Sequence, residues 1–132
     1  MVGLVVVTHG GLAEELVRTA GLIMGPAEQV AAVGFYPHDR EDEMLEKLRG
    51  AVKSVDTGDG VLILVDMFGG TPSNLSLRLM RTGHVEVVTG VNLPMLLKAG
   101  NSPRRDLRTF AEKVRESGIR NTILASHYLE KR

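Results

Sequence analysis

The sequence predicts an α/β fold built on a mainly parallel sheet in the order 2-1-3-4, and three observations predict it. Short, almost wholly apolar runs alternate with stretches of helical periodicity. The runs lack the polar alternation of a sheet with one wet face, so they suit strands covered on both faces. Glycine-rich breaks follow the first and third runs, where an open α/β sheet places its ligand site.

Gly3 to Val7 is the first strand, and Gly10-Gly11 breaks it. Leu12, Leu16, Ala20 and Ile23 then follow helical spacing until Gly25-Pro26. Gln29 to Phe35 predicts a second strand, ended by Pro37. In the next helix Met44, Leu45, Leu48, Val52 and Val55 share one face. Its first turn is acidic (Asp39, Glu41, Asp42, Glu43) and its later turns carry Lys47, Arg49 and Lys53, which complements the helix dipole. Val61 to Val65 is the third strand and runs into Asp66 and the segment MFGGTPSN. A helix from about Pro72 to Arg81 follows, with Thr71 as its expected N-cap. Val85 to Thr89 predicts the fourth strand, Leu93 to Ala99 a short helix and Ser102 to Ser117 another. Thr122 to Tyr128 predicts a last short strand.

One domain is expected over residues 1–132, because a chain of 132 residues supports one core. Aromatic residues are 4% and Trp is absent, so aliphatic side chains must fill that core. Lys plus Arg equals Asp plus Glu at 16 each, which gives no electrostatic reason to expect nucleic acid or an anionic membrane as partner. The absence of Cys excludes disulfides, thiol catalysis and cysteine-ligated zinc. The start lacks a basic region ahead of its short apolar run, and no stretch approaches the roughly 18 apolar residues of a membrane span. A cytoplasmic protein is expected.

The chemistry is expected where the connections leaving neighbouring strands diverge, between strands one and three. Thr8-His9-Gly10-Gly11 follows strand one there, and Asp66 with Gly69-Gly70-Thr71 follows strand three. Each feature alone has a plain structural reading: a solvated or capping histidine, an aspartate cap, glycine turns. Facing one crevice, they acquire a joint meaning. A carboxylate accepting a hydrogen bond from one imidazole nitrogen fixes the tautomer and frees the other as a nucleophile. Backbone N–H groups of Gly10, Gly11, Gly69, Gly70 and Thr71 at two helix starts would bind an oxyanion, with phosphate as the natural ligand. The Thr8 and Thr71 hydroxyls would add donors.

Competing motifs fail. GGTPSN is not a P-loop, no GxGxxG follows the first strand, and no Ser sits in GxSxG. A metal held by His9, Asp66 and His38 has no supporting spacing. His38, His84 and His127 carry no motif, and no cofactor is implied.

Three blocks, VVVTHGGLAEEL, GVLILVDMFGGTPSN and TGVNLPMLL, together resemble the mannose-class enzyme IIA family of the phosphoenolpyruvate-dependent sugar phosphotransferase system. The resemblance covers nearly the whole chain. It implies a flavodoxin-like three-layer fold and a homodimer in which an antiparallel last strand, here Thr122 to Tyr128, can be exchanged. It places the phosphorylated histidine on His9, its supporting aspartate on Asp66 and the loop hydroxyl on Thr71. The GVNLPM loop, with Asn92, Pro94 and Met95, would border the crevice, and Phe68 would pack at its mouth. It implies phosphate arriving from the phosphocarrier HPr and leaving to a IIB partner. Met67-Phe68 departs from the Trp-containing pair of many transport members, and no IIB domain follows in these residues. The dihydroxyacetone-kinase phosphotransferase subunits match less well, since they typically lack a GGTP loop. A regulatory IIA-like module, or a phosphate-binding domain without transfer, are the alternative readings.

Overall fold

A computed structural model describes residues 1–130. The elements in chain order are β1 (Gly3–His9), α1 (Leu12–Met24), β2 (Val30–Phe35), α2 (Glu41–Val55), β3 (Val61–Val65), α3 (Thr71–Leu79), β4 (Val85–Val88), α4 (Leu93–Asn101), α5 (Leu107–Arg120) and α6 (Ala125–Glu130). The four strands form one parallel sheet in the order β2-β1-β3-β4.

The apolar runs of the central strands β1 and β3 are buried on both faces, as expected for such a sheet, while the edge strands β2 and β4 are only partly buried. Side-chain alternation divides each strand between two cores. Leu4, Val6, Leu62 and Leu64 pack with Ala13, Ala20, Met95, Phe110 and Val114 from α1, α4 and α5. Val5, Val7, Ile63 and Val65 pack with Met44, Leu48 and Leu75 from α2 and α3. The chain therefore leaves β1 toward one face and β3 toward the other. Adjacent strands with diverging connections open a crevice beyond their carboxyl ends.

Several expected boundaries move, each for a local reason. The inward stripe of α1 runs through Ala13 and Ala20, leaving Leu12 and Ile23 exposed. Gly70, not Thr71, is the N-cap residue of α3, and Thr71 is already helical. The helix expected from Ser102 begins only at Leu107, where the Asp106 side chain accepts the Thr109 N–H at 3.0 Å. The segment before it, with Pro103 and Arg104, is not helical.

The expected strand at Thr122 to Tyr128 is a correction. Residues 125–130 form α6 and contain no buried residue. A strand needs a ladder partner, and among the described residues β4 has its ladder with β3 and beyond that only the isolated Arg81–Val85 bridge. The segment satisfies its backbone locally instead, as in the Tyr128 N–H bond to the Leu124 carbonyl at 3.0 Å.

Arg104 closes the amino-terminal end of the sheet. Its guanidinium donates to the carbonyls of Val2 (2.9 Å), Glu28 (2.7 Å) and Gln29 (3.0 Å), and its own carbonyl accepts the Val2 N–H at 2.8 Å. One side chain thus joins the entries of β1 and β2 to the approach to α5. Arg104→Ala should lower the unfolding free energy by about 2–4 kcal/mol, because it strips a charged donor from three carbonyls. Arg104→Lys should recover less than half of the loss, since an ammonium lacks the planar fork. Urea denaturation of the three proteins measures both.

Candidate active site

Parallel pairing of β1 and β3 sets Val7 opposite Val65, so His9 and Asp66 leave the sheet side by side. Asp66 Oδ2 accepts the His9 backbone N–H at 3.0 Å and lies 2.8 Å from His9 Nδ1. Its other oxygen accepts the Met67 N–H at 3.0 Å. An ionised carboxylate can only accept, so in the neutral imidazole the ring proton resides on Nδ1 and Nε2 keeps its lone pair. The Asp66 side chain is 13% exposed and the His9 side chain 53%. The imidazole is therefore the group open to solvent, and the carboxylate beneath it fixes its orientation. Partial burial pushes the Asp66 carboxyl up. Hydrogen bonds from the His9 backbone and ring, and the attraction of the ring when it is protonated, outweigh that and hold it below the usual carboxylate value.

The free nitrogen faces glycine. A Cβ added to Gly70 would lie 3.2 Å from both His9 Nε2 and Cε1. Gly70 also has φ 84° and ψ 168°, a region that side chains disfavour strongly. The loop thus brings bare backbone to Nε2. Gly70 starts α3, and Asn74 donates to its carbonyl at 2.9 Å. Pro72 has no N–H, so Gly70, Thr71 and Ser73 carry the N–H groups left over at this helix start. Thr71 is exposed.

The other expected site residues divide. Gly11 is the N-cap residue of α1. Gly10 makes the turn, but its N–H donates to the Phe35 carbonyl at 2.7 Å and is committed to the sheet edge. Thr8 is completely buried, and its hydroxyl accepts the Ala13 N–H at 2.8 Å, so it is engaged in holding the start of α1. Phe68 is 70% exposed beside the crevice loop. Asn92 points inward: it accepts the Met95 N–H at 3.1 Å and donates to the Gly118 carbonyl at 3.3 Å. Met95 is 2% exposed within the core, while Pro94 is half-buried. His38 does not join His9 and Asp66 in a metal-ligating group among the described residues.

The apposition of Gly70 to Nε2 escaped sequence reasoning. The only signal was a glycine pair, which also marks ordinary turns. The Tyr36 and His38 rings, which stack beside the crevice, carried no motif at all.

Two consequences are measurable. Gly70→Ala should cost about 1–3 kcal/mol of stability from backbone strain alone, read by thermal or urea unfolding. The lowered carboxyl of Asp66 contributes stability that is fully present above the ordinary aspartate value of about 3.9. That contribution is lost as pH falls through the lower folded value. Asp66→Asn should therefore weaken the acid dependence of unfolding in that window, and an unchanged profile would count against the contact.

The family model described as the fructose IIA component of the phosphotransferase system matches residues 3–116. The mannose-specific EIIAB component of Escherichia coli K12 is 39% identical over 98 residues, which are 74% of this chain and 30% of that protein. The chain thus spans about a third of the length of that relative. The fructose-specific EIIA component of Bacillus subtilis is 32% identical over 99 residues, covering 74% of this chain and 68% of that one. The fold superposes on the EIIA component from Streptococcus agalactiae with a TM-score of 0.84 at 26% identity, over 96% of this chain and 99% of that one. It superposes on the mannose/sorbose IIA subunit from Enterococcus faecalis with a TM-score of 0.85 at 28% identity, over 93% of each chain. With the parallel sheet and the His9–Asp66 crevice, these similarities establish that the chain belongs to the mannose/fructose/sorbose family of phosphotransferase-system IIA components.

Proposed function

We propose that this chain accepts a phosphoryl group from phospho-HPr on His9 Nε2 and passes it to a IIB partner for sugar uptake. The observation that carries this reading is the 2.8 Å contact of Asp66 Oδ2 with Nδ1, which leaves Nε2 free against Gly70. The lone pair of Nε2 attacks phosphorus in line, forming the new N–P bond. The donor's N–P bond breaks, and its nitrogen keeps the bonding pair. Nδ1–H stays hydrogen-bonded to Asp66, which stabilises the positive charge that the ring gains. Backbone N–H groups of Gly11, Gly69, Gly70 and Thr71, with the Thr71 hydroxyl, surround the phosphoryl oxygens. Gly10 supplies the turn rather than a donor. Phe68 and Pro94 form rim contacts for the partners. The second transfer reverses these roles, with phosphohistidine as the donor.

The names of the mannose- and fructose-specific relatives support sugar uptake as the destination of the phosphate. A cytoplasmic location fits exchange with HPr. No helix among the described residues is long and apolar enough to cross a membrane. A homodimer that exchanges the carboxy-terminal segment is part of this proposal. Ile123, Leu124, Tyr128 and Leu129 are 55–69% exposed, and a depression of about 560 Å³ runs between β4 and α5. Exposed apolar side chains of one copy would cover that depression in the other.

Incubation with phosphoenolpyruvate, enzyme I and HPr should place one acid-labile phosphate on the chain, visible by intact mass. His9→Ala should take up none. Phosphate on that variant would overturn the assignment.

A further inference from the structure

We infer that the stacked Tyr36–His38 pair is a recognition ledge for the protein that delivers phosphate to His9. This rests on the reading of His9 as the acceptor. The ledge lies in the turn after β2. Its ring centroids are 6.2 Å apart with an interplanar angle of 29°. Tyr36 is 45% exposed, and the His38 side chain is 85% exposed.

The pair is held in place before any partner arrives. The Tyr36 N–H donates to Asp39 Oδ2 at 2.8 Å, and the Asp39 N–H donates to the Tyr36 carbonyl at 3.0 Å. Pro37 separates the two residues in sequence with its φ preset, so the turn loses little entropy on binding. Tyr36 also lies against the catalytic loop. Its hydroxyl is 3.8 Å from where a Cβ on Gly11 would stand. Gly34, lacking a side chain, lets the Gly10 carbonyl close over β2; a Cβ there would meet that oxygen at 2.1 Å.

The ledge falls inside any productive docking footprint. Transfer requires the reacting atoms to approach to about 3–3.5 Å. A protein burying about 800 Å² on this side covers a disc of roughly 16 Å radius centred on His9. Phe35 is the sheet partner of His9, one strand spacing of about 4.8 Å away, and Tyr36 is the next residue. A carrier that reaches Nε2 must therefore lie over Tyr36. Exposed Met67 and Phe68, from the loop after β3, border His9 on the side away from β2. Rigid aromatic side chains near the centre of an interface are the residue class that carries disproportionate binding energy.

The test compares two phosphoryl donors, phospho-HPr and the small molecule phosphoramidate, which has no protein surface to dock. Tyr36→Ala and His38→Ala should each lower kcat/KM for phospho-HPr about tenfold, mainly through KM. The ratio of that constant to the phosphoramidate rate should fall by a similar factor. Tyr36→Phe, which keeps the ring, should retain most of the ratio. Equal losses with both donors would make the ledge a structural support and overturn the proposal, as would variants indistinguishable from wild type with phospho-HPr. Failure of phospho-HPr to label wild-type His9 would instead overturn the acceptor reading on which the ledge depends.

Discussion

The site depends on one oxygen atom. Asp66 Oδ2 accepts both the backbone N–H and the ring Nδ1 of His9, tying the exits of β1 and β3 together at the sheet's topological switch. The double contact settles the ring's orientation and its tautomer at once. It relies on the β1–β3 register, because a slip of one residue would turn one of these side chains to the opposite face. That register in turn rests on the two apolar cores, which hold Val5 and Val7 to one face and Leu4 and Val6 to the other.

The two ends of the sheet are built for different purposes. At the amino-terminal end the Arg104 guanidinium and the Gln29 amide, which donates to the Val55 carbonyl at 3.0 Å, bind backbone groups together. At the carboxyl end, side chains are missing where the chain must come close. Gly34 makes room for the Gly10 carbonyl, and Gly70 leaves His9 Nε2 uncovered. A rigid base beneath an open crevice keeps a half-exposed imidazole positioned without enclosing it. That geometry suits a reactant carried on another macromolecule better than a small ligand needing burial.

Much of this was legible in the chain. Short apolar runs ended by turn residues such as Gly10-Gly11 and Pro37 predicted the strands, and the alternation of strands and helices predicted a parallel α/β sheet. His9 and Asp66 could be assigned to one crevice because both directly follow core strands. Helix starts and capping were less legible. Thr8 and Thr71 are equivalent as hydroxyls on paper, yet Thr8 is buried as a partner for the Ala13 N–H and Thr71 is exposed. The GVNLPM loop looked like crevice rim, but the Asn92 side chain turns inward to bind the Met95 N–H and the Gly118 carbonyl.

By itself the sequence determined the order of elements from β1 to α5, the parallel sheet and the presence of a histidine and an aspartate at the ends of its central strands. These follow from local periodicity and turn chemistry, which neighbouring residues decide. Tertiary structure alone decided which nitrogen of His9 is free, that Gly70 rather than a side chain faces it, and that Gly10 spends its N–H on Phe35. Those outcomes depend on contacts between segments distant in sequence. A hydrogen-bonding group takes whichever partner the fold brings within about 3 Å, and spacing along the chain does not encode that choice.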